Sequence, residues 1–245
     1  HTQPRPVSAG GVSPGERQQW LVEPAPRPAV QVEGQNGAFP VHRIYCVAQN
    51  YAEHAREMGS TGREKPRFFA KPADAVCLDR DIPYPPATVN LHHEVELVIA
   101  IGRPGFRVSP KEAVSMVFGY AVGVDLTRRD LQAGAKDARG PWTTAKGFDR
   151  SAPVSPIRPI NACGSISDAA IALAVTGSAR QQGTTADMIW NAEEVIAELS
   201  QYFELKAGDL VFTGTPAGVG PLNPGDRIEA RIEGVGALDF IITPG

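Results

Sequence analysis

The sequence predicts a β-rich α+β fold with a few helices. Short apolar segments of strand length outnumber segments with helical periodicity. The two kinds of segment do not alternate regularly, as they would in a doubly wound sheet. The last third of the chain contains charged and apolar residues in alternation, interrupted by Gly, Pro and Asn at turn positions. Together these observations favour a β-rich α+β domain over a doubly wound sheet.

The N-terminal part of the chain predicts an arm, residues 1–40, followed by one domain over residues 41–245. Residues 1–17 are rich in Pro, Gly and Ser and have little to bury, which is typical of a poorly ordered segment. The stretch "QWLVEPAPRPAVQVEG" adds short apolar pieces broken by prolines, which are compatible with short edge strands. From Val41 onward the composition is that of a globular core.

The polar segment "QNYAEHAREMGSTGR" contains His54 and Glu57, three positions apart. If the segment is helical, the two side chains are neighbours, and the carboxylate can hold one ring nitrogen while the other acts as a base. A surface His–Glu pair without a catalytic role remains the alternative. Because Gly59 and Gly62 bound the segment, we expect a lid that closes over a substrate.

A predicted strand, "LHHEVELVIAIG" at residues 91–102, carries two carboxylates on one face. Side chains alternate along a strand, so Glu94 and Glu96 point the same way, with Cβ atoms roughly 6.5–7 Å apart. No basic residue lies between them, so the pair requires a positive group. A solvated strand face remains the alternative.

A third acid, Asp125, ends a predicted strand that begins at Tyr120 and precedes an apparent helix. A helix cap is the alternative interpretation. Three carboxylates without a soft ligand suit a hard cation, magnesium or manganese before zinc.

Two helices and three C-terminal strands complete the predicted elements. A short helix is predicted by a capping box between Ser109 and Glu112, with Pro110 at the first helical position. The stretch "TADMIWNAEEVIAELSQYFEL" predicts the longest helix, with Gly208 following as a stop signal. The segments "DLVFTG", "DRIEARIEG" and "ALDFIITPG" predict antiparallel strands.

Composition excludes several classes of protein. The 245 residues carry a formal net charge of −3, which argues against nucleic acid or an anionic membrane as the main partner. No apolar run approaches the ~18 residues of a membrane span. Cys46, Cys77 and Cys163 match no zinc or redox pattern, so we expect free thiols and a cytoplasmic protein.

Several motifs occur in a recognisable order: "NYAEHAREM", "FFAKPADAV", "HHEVELVIAIG", "GYAVGVDLTRRDLQ", "PWTTAKGFDRSAP" and "VFTGTPAGVG". In this set and order the chain resembles the fumarylacetoacetate hydrolase superfamily from residue 41 to residue 245. Within it, the likeness is greatest to bacterial fumarylpyruvate hydrolases and related acylpyruvases. The resemblance implies a mixed β-roll, a divalent metal and a homodimer.

The resemblance also implies roles for individual residues. The family's metal ligands fall on Glu94, Glu96 and Asp125, and its base and orienting acid on His54 and Glu57. Its active-site lysine falls on Lys146, and positions that contact substrate fall on Arg128, Gln132 and Thr215. The implied cofactor is Mg²⁺ or Mn²⁺, with Ca²⁺ as a substitute in a crystal.

The implied reaction is hydrolysis of a carbon–carbon bond in a 2,4-dioxo acid, with fumarylpyruvate as the favoured substrate. The family also includes oxaloacetate decarboxylases and isomerases or hydratases of dienoic diacids, which remain alternatives. A non-catalytic β protein with a structural calcium site is the alternative from another class.

Overall fold

A computed structural model describes residues 20–51, 64–164 and 166–245, and it confirms the β-rich α+β class. The helices in these residues are α1 (Pro110–Ala113), α2 (Arg129–Asp137), α3 (Thr143–Lys146) and α4 (Ala192–Leu199). The first strands are β1 (Ala29–Gln31), β2 (Ala38–Pro40), β3 (Arg43–Ala48), β4 (Arg67–Lys71), β5 (Val76–Cys77), β6 (Asp81–Pro83), β7 (Leu91–His93), β8 (Val95–Ile101) and β9 (Val117–Val124). The remaining strands are β10 (Thr127–Arg128), β11 (Ala152–Pro153), β12 (Arg158–Pro159), β13 (Ala170–Val175), β14 (Ser178–Thr184), β15 (Asp209–Phe212), β16 (Gly220–Leu222), β17 (Arg227–Ile232) and β18 (Gly236–Thr243).

Two larger sheets organise the fold. A six-stranded sheet has the order β12-β9-β8-β15-β3-β4, and a five-stranded sheet has the order β14-β13-β17-β18-β6. A three-stranded sheet, β10-β7-β16, and two strand pairs, β1-β2 and β5-β11, complete the arrangement. Pairing is mixed, because β15 runs parallel to β3 but antiparallel to β8.

The two larger sheets share one hydrophobic core. From β8 this core receives Val95, Leu97, Ile99 and Ile101, and it also includes buried residues of β13, β17, β18 and α4. The opposite face of β8, with Val98 and Ala100, lies in a second apolar cluster. The six-stranded sheet is therefore buried on both faces at β8, which explains the nearly continuous apolar run there.

The first described residues cover part of this second face. The antiparallel pair β1-β2 places Val30 and Phe39 in the same apolar cluster as Val98 and Ala100. This is consistent with short strands in the predicted arm, and the domain boundary at residue 41 stays a prediction.

Two helix predictions have different outcomes. The capping box of Ser109 and Glu112 at the start of α1 is confirmed, and α1 is short. The prediction that the longest helix lies within residues 185–205 is wrong for the described residues, because α4 has eight residues and α2 has nine. Asn191 starts α4 with a capping box to Glu194, so the preceding apolar residues lie outside the helix.

Two strand predictions also need correction. The predicted strand 91–102 is interrupted at Glu94, which lies between β7 and β8. Of the three C-terminal strands, β17 and β18 pair antiparallel as predicted, but β15 joins the other sheet and runs parallel to β3. No described helix has both the length and the apolar character of a membrane span.

Candidate active site

Three buried carboxylates converge where β8 and β9 meet. One ligand oxygen from each of Glu94, Glu96 and Asp125 lies within 4.8 Å of the others. Antiparallel pairing places Val95 opposite Val124, so Glu94 and Asp125 extend from the same end of the ladder. The Asp125 amide donates to the Glu94 carbonyl at 2.8 Å, which fixes the two backbones together. Asp125 is not a helix cap, because Arg128 is the N-cap residue of α2.

Glu96 carries the least compensated of these charges. It forms no ion pair with a described residue, and one carboxylate oxygen accepts from the Gly214 amide at 2.8 Å. Burial raises its pKa well above the ordinary value, and the negative charges of Asp125 and Glu94 raise it further. Gly214 has φ +101°, and a Cβ there would lie 2.7 Å from the Cβ of Asn50, so glycine allows this turn to approach.

Lys146, at the end of α3, connects two of the carboxylates. Its buried Nζ lies 3.0 Å from Glu94 Oε2 and 2.7 Å from Asp125 Oδ2, and it donates to Thr127 Oγ1 at 2.7 Å. Although burial opposes the charged form, Asp125 and Glu94 together raise the pKa of Lys146 above its ordinary value. The lysine is therefore held as a cation at neutral pH.

A second buried lysine, Lys71 at the end of β4, contacts the other side of Asp125. Its Nζ lies 2.7 Å from Asp125 Oδ1 and donates to the carbonyls of Leu126, at 3.3 Å, and Lys146. Asp125 is thus held between two ammonium groups. This arrangement fixes the carboxylate in place without solvent.

Helix α2 supplies an arginine to the same cluster. Arg129 Nη2 lies 2.5 Å from Glu94 Oε1, and Nη1 donates to Gln132 Oε1 at 2.7 Å. Its Nε donates to His92 Nδ1 at 3.2 Å, and burial and the Arg129 charge lower the pKa of His92 to about 4. A neutral His92 can therefore accept this hydrogen bond.

The predicted Arg128 is placed differently from its neighbour. Its guanidinium donates to the Thr144 carbonyl at 3.0 Å and lies 4.4 Å from the ring centroid of Phe148. It is not among the described residues that line the cleft, whereas Arg129 is.

Thr215 also lines the cleft and is held by the side-chain amide of the buried Gln181. Gln181 Nε2 donates to Thr215 Oγ1 at 2.7 Å and to the Pro216 carbonyl at 2.8 Å. Gln181 Oε1 accepts from the Val95 amide at 3.1 Å and lies 2.9 Å from His93 Nδ1. One side chain of the five-stranded sheet therefore connects the Thr215 turn to the backbone between the two glutamates.

These groups open into one small cleft, with a cavity volume of about 30 Å³. Its described lining consists of Val47, Ala48, Gln49, Phe69, Glu94, Glu96, Arg129, Gln132, Lys136, Trp142, Lys146 and Thr215. A floor of carboxylates and an ammonium group below an aromatic wall suits a small oxygen-rich anion bound with a cation.

The donor set fits a divalent cation. Carboxylate oxygens are the ligands that Mg²⁺ and Mn²⁺ prefer, and three of them converge in a buried site. The raised pKa of Glu96 shows that its negative charge is poorly stabilised by the protein groups alone. A doubly charged ion beside it would remove this imbalance.

Of the nine predicted site residues, the structure brings six to this cleft or its floor. These are Glu94, Glu96, Asp125, Gln132, Lys146 and Thr215. His54 and Glu57, with residues 52–63 of the predicted lid, lie outside the described residues. Arg128 is adjacent but turned toward Phe148.

Sequence reasoning missed three polar residues that organise the site. Arg129 was detectable, because it precedes Gln132 by three positions on a helix and shares its face. Lys71 ends an apolar strand within "FFAKPADAV", and a lone lysine there is a weak signal of a buried ion pair. Gln181 lies on a distant strand, and its local sequence carries no indication of its partners.

Comparison with known proteins agrees with this geometry. The family described as fumarylacetoacetate (FAA) hydrolase C-terminal matches residues 43–243. The oxaloacetate tautomerase YcgM of Escherichia coli is 43% identical over 80% of this chain and 90% of its own. The fumarylpyruvate hydrolase of a Ralstonia species is 43% identical over 74% of this chain and 94% of its own.

A solved structure extends the comparison to the fold. The fumarylpyruvate hydrolase of Pseudomonas aeruginosa, in complex with Mn²⁺ and pyruvate, is 44% identical with a TM-score of 0.90. The match covers 93% of this chain and 100% of that one. These relatives and the acidic triad support a metal-dependent enzymatic activity. The chain belongs to the fumarylacetoacetate hydrolase family.

Proposed function

We propose that this protein hydrolyses a carbon–carbon bond in a 2,4-dioxo acid, with fumarylpyruvate, cleaved to fumarate and pyruvate, as the favoured substrate. The observation that carries the proposal is the buried convergence of Glu94, Glu96 and Asp125 around the Lys146 ammonium group at the base of the cleft. The relatives named for fumarylpyruvate hydrolysis support the choice of substrate.

We propose that Glu94, Glu96 and Asp125 hold Mg²⁺ or Mn²⁺. When bound, such an ion acts as a Lewis acid that stabilises negative charge on the oxygens of a 2-oxo acid. The protein contributes a rigid arrangement of ligands. Glu94 and Asp125 are held by the cations Arg129 and Lys146, and Glu96 by the Gly214 amide.

Lys146 stabilises negative charge that develops on a substrate oxygen. Its ammonium group is buried and remains charged because of Asp125 and Glu94. A fixed positive charge in a site of low dielectric is worth more than the same charge in water, and it needs no reorganisation during the reaction.

His54 and Glu57 complete the mechanism as a base and its orienting acid. His54 removes a proton from the water that attacks the distal carbonyl carbon, and Glu57 holds the other ring nitrogen. The bond from that carbon to the pyruvoyl methylene then breaks, its electron pair leaves as the pyruvate enolate, and the enolate carbon takes up a proton to give pyruvate. Hydrolysis needs such an activated water, whereas decarboxylation does not. This part of the proposal rests on the sequence motif.

Substrate contacts are assigned to the walls of the cleft. Thr215 and the neighbouring turn amides bind the pyruvoyl carboxylate, and Gln132 contacts the substrate from α2. The geometry favours Arg129 over Arg128 as an arginine that reaches the substrate, because Arg129 lines the cleft and Arg128 donates to the Thr144 carbonyl instead.

Enol chemistry on oxaloacetate is the second candidate. The Escherichia coli relative is named an oxaloacetate tautomerase, and its identity to this chain equals that of the Ralstonia hydrolase. Tautomerisation moves a proton and breaks no carbon–carbon bond, so the two candidates predict different products from the same cleft.

The test follows the ultraviolet absorbance of the β-diketone in fumarylpyruvate and acetylpyruvate, with Mn²⁺ and after chelation. We expect absorbance to disappear only with metal, with pyruvate released in equal amount, and to persist in Glu94→Gln. Rapid interconversion of oxaloacetate tautomers without cleavage of either acylpyruvate would establish the second candidate. Metal binding without turnover of any of these acids would indicate a binding protein. Light scattering on the same sample tests the proposed homodimer.

A further inference from the structure

One face of α2 lines the cleft along its whole length. Arg129, Gln132 and Lys136 are spaced by three and four positions, so they share a face of the helix. From Arg129 to Lys136 this face extends by about 10 Å at the usual rise of an α-helix. Arg129 contacts Glu94 at the carboxylate floor, and Lys136 lies about two helical turns further along this face.

Lys136 differs from the other cations of the cleft in having no carboxylate partner among the described residues. Arg129 is committed to Glu94 and Gln132, and Lys146 to Glu94 and Asp125. Lys136 is half-buried, and its Nζ lies 5.5 Å from the ring centroid of Trp142. Burial, followed by the positive charge of Arg129, lowers its pKa, although the charge of Glu94 acts in the opposite direction. An anion placed beside Lys136 would relieve this repulsion.

An aromatic wall connects the floor to Lys136. The Lys146 Nζ lies 5.1 Å from the Phe69 ring centroid, and the centroids of Phe69 and Trp142 are 5.7 Å apart. Trp142 then contacts Lys136. A flat conjugated acyl chain can stack along Phe69 and Trp142 while its two ends meet cations.

We infer that Lys136 determines specificity by binding a carboxylate at the distal end of the acyl chain, so that the cleft selects dicarboxylic acylpyruvates over those with an uncharged acyl end. The inference rests on the proposed function and names the substrate class for that site. Lys136 is favoured over Arg128 for this contact, because Arg128 donates to the Thr144 carbonyl, lies against the Phe148 ring and does not line the cleft.

The test compares fumarylpyruvate with acetylpyruvate, which lacks the distal carboxylate, in Lys136→Met and Lys136→Arg. We expect Lys136→Met to lower kcat/KM for fumarylpyruvate by roughly tenfold or more, the usual effect of removing a charged hydrogen-bond partner. Acetylpyruvate should change by less than about twofold, because it makes no such contact. Lys136→Arg should restore most of the lost preference. Lys111→Met, at an exposed position on α1, is the matched control.

Equal losses for both substrates, or no loss for either, would overturn the inference. A second measurement separates it from the proposed function: calorimetric titration with fumarate in the presence of Mn²⁺. If wild type cleaves neither acylpyruvate, the proposed function is wrong. Weaker fumarate binding by Lys136→Met than by Lys111→Met would still support the carboxylate site. Fumarate binding that is absent or unaffected by Lys136→Met would contradict it.

Discussion

Replacing Glu96 with Gln should change the stability of the protein in opposite directions with and without a divalent cation. In the metal-free protein, Glu96 is a buried carboxylate with two others nearby and no ion-pair partner among the described residues. Glutamine keeps the shape and its amide oxygen can still accept from the Gly214 amide. The substitution therefore removes one negative charge and preserves the local contact.

The size of the effect follows from the spacing of the carboxylates. Two unit charges 4.8 Å apart repel by roughly 3 kcal/mol at the effective dielectric constant of about 20 that suits protein sites. Glu96 has two such neighbours, and the positive charge of Lys146 offsets much of the repulsion. We expect the metal-free variant to be more stable by about 1–3 kcal/mol, or roughly 2–12 °C in Tm for a chain of this size.

The pH dependence of this difference has a defined sign. The folded-state pKa of Glu96 lies above its unfolded value. Protonated Glu96 therefore contributes its full stabilisation of the folded state at pH values below the unfolded pKa. That contribution is lost as pH rises through the folded pKa. The stability advantage of Glu96→Gln should therefore grow from acid to neutral pH.

Thermal unfolding with chelator and with saturating Mn²⁺, at several pH values, tests these statements. Mn²⁺ at 100 times its Kd would stabilise wild type by about 2.7 kcal/mol, and the variant should lose most of this shift. A variant that is less stable than wild type without metal, yet keeps the full Mn²⁺ shift, would refute the reasoning.

Three further predictions concern positioning and catalysis. Lys71→Met should lower the free energy of unfolding by about 3–5 kcal/mol in urea titrations, because it leaves Asp125 buried with one cation fewer; a loss under about 1 kcal/mol would contradict this role. Gln181→Leu should cost about 1–3 kcal/mol by the same measurement, since buried hydrogen-bonding groups of Val95 and Thr215 lose their partner, and unchanged stability would argue against the connection. His54→Ala should reduce kcat for acylpyruvates by about 10²–10⁴-fold with unchanged Mn²⁺ affinity; undiminished turnover would exclude it as the base.

The acids of the site were predictable because their chemistry is local. Glu94 and Glu96 occur two positions apart in an apolar strand, and Asp125 ends another. Strand alternation also accounts for the position of Val98 and Ala100 on the face opposite Val95. The break at Glu94 was not visible, because it arises from pairing of β7 with β10 and β16 in a separate sheet.

The cations around those acids were harder to find from the sequence. Lys71 and Lys146 approach Asp125 from segments 75 positions apart, and only the folded chain brings them together. The parallel pairing of β15 with β3 has the same cause, since it joins segments more than 160 positions apart. The local sequence pattern of a strand determines which side chains lie on each face, but it does not determine which strands pair with it.

The most direct test of the metal site is anomalous X-ray scattering from crystals grown with Mn²⁺. We predict one strong peak at distances of about 2.0–2.3 Å from carboxylate oxygens of Glu94, Glu96 and Asp125, with Lys146 beside it. Crystals that diffract well, contain Mn²⁺ elsewhere and show no peak among these carboxylates would contradict the account.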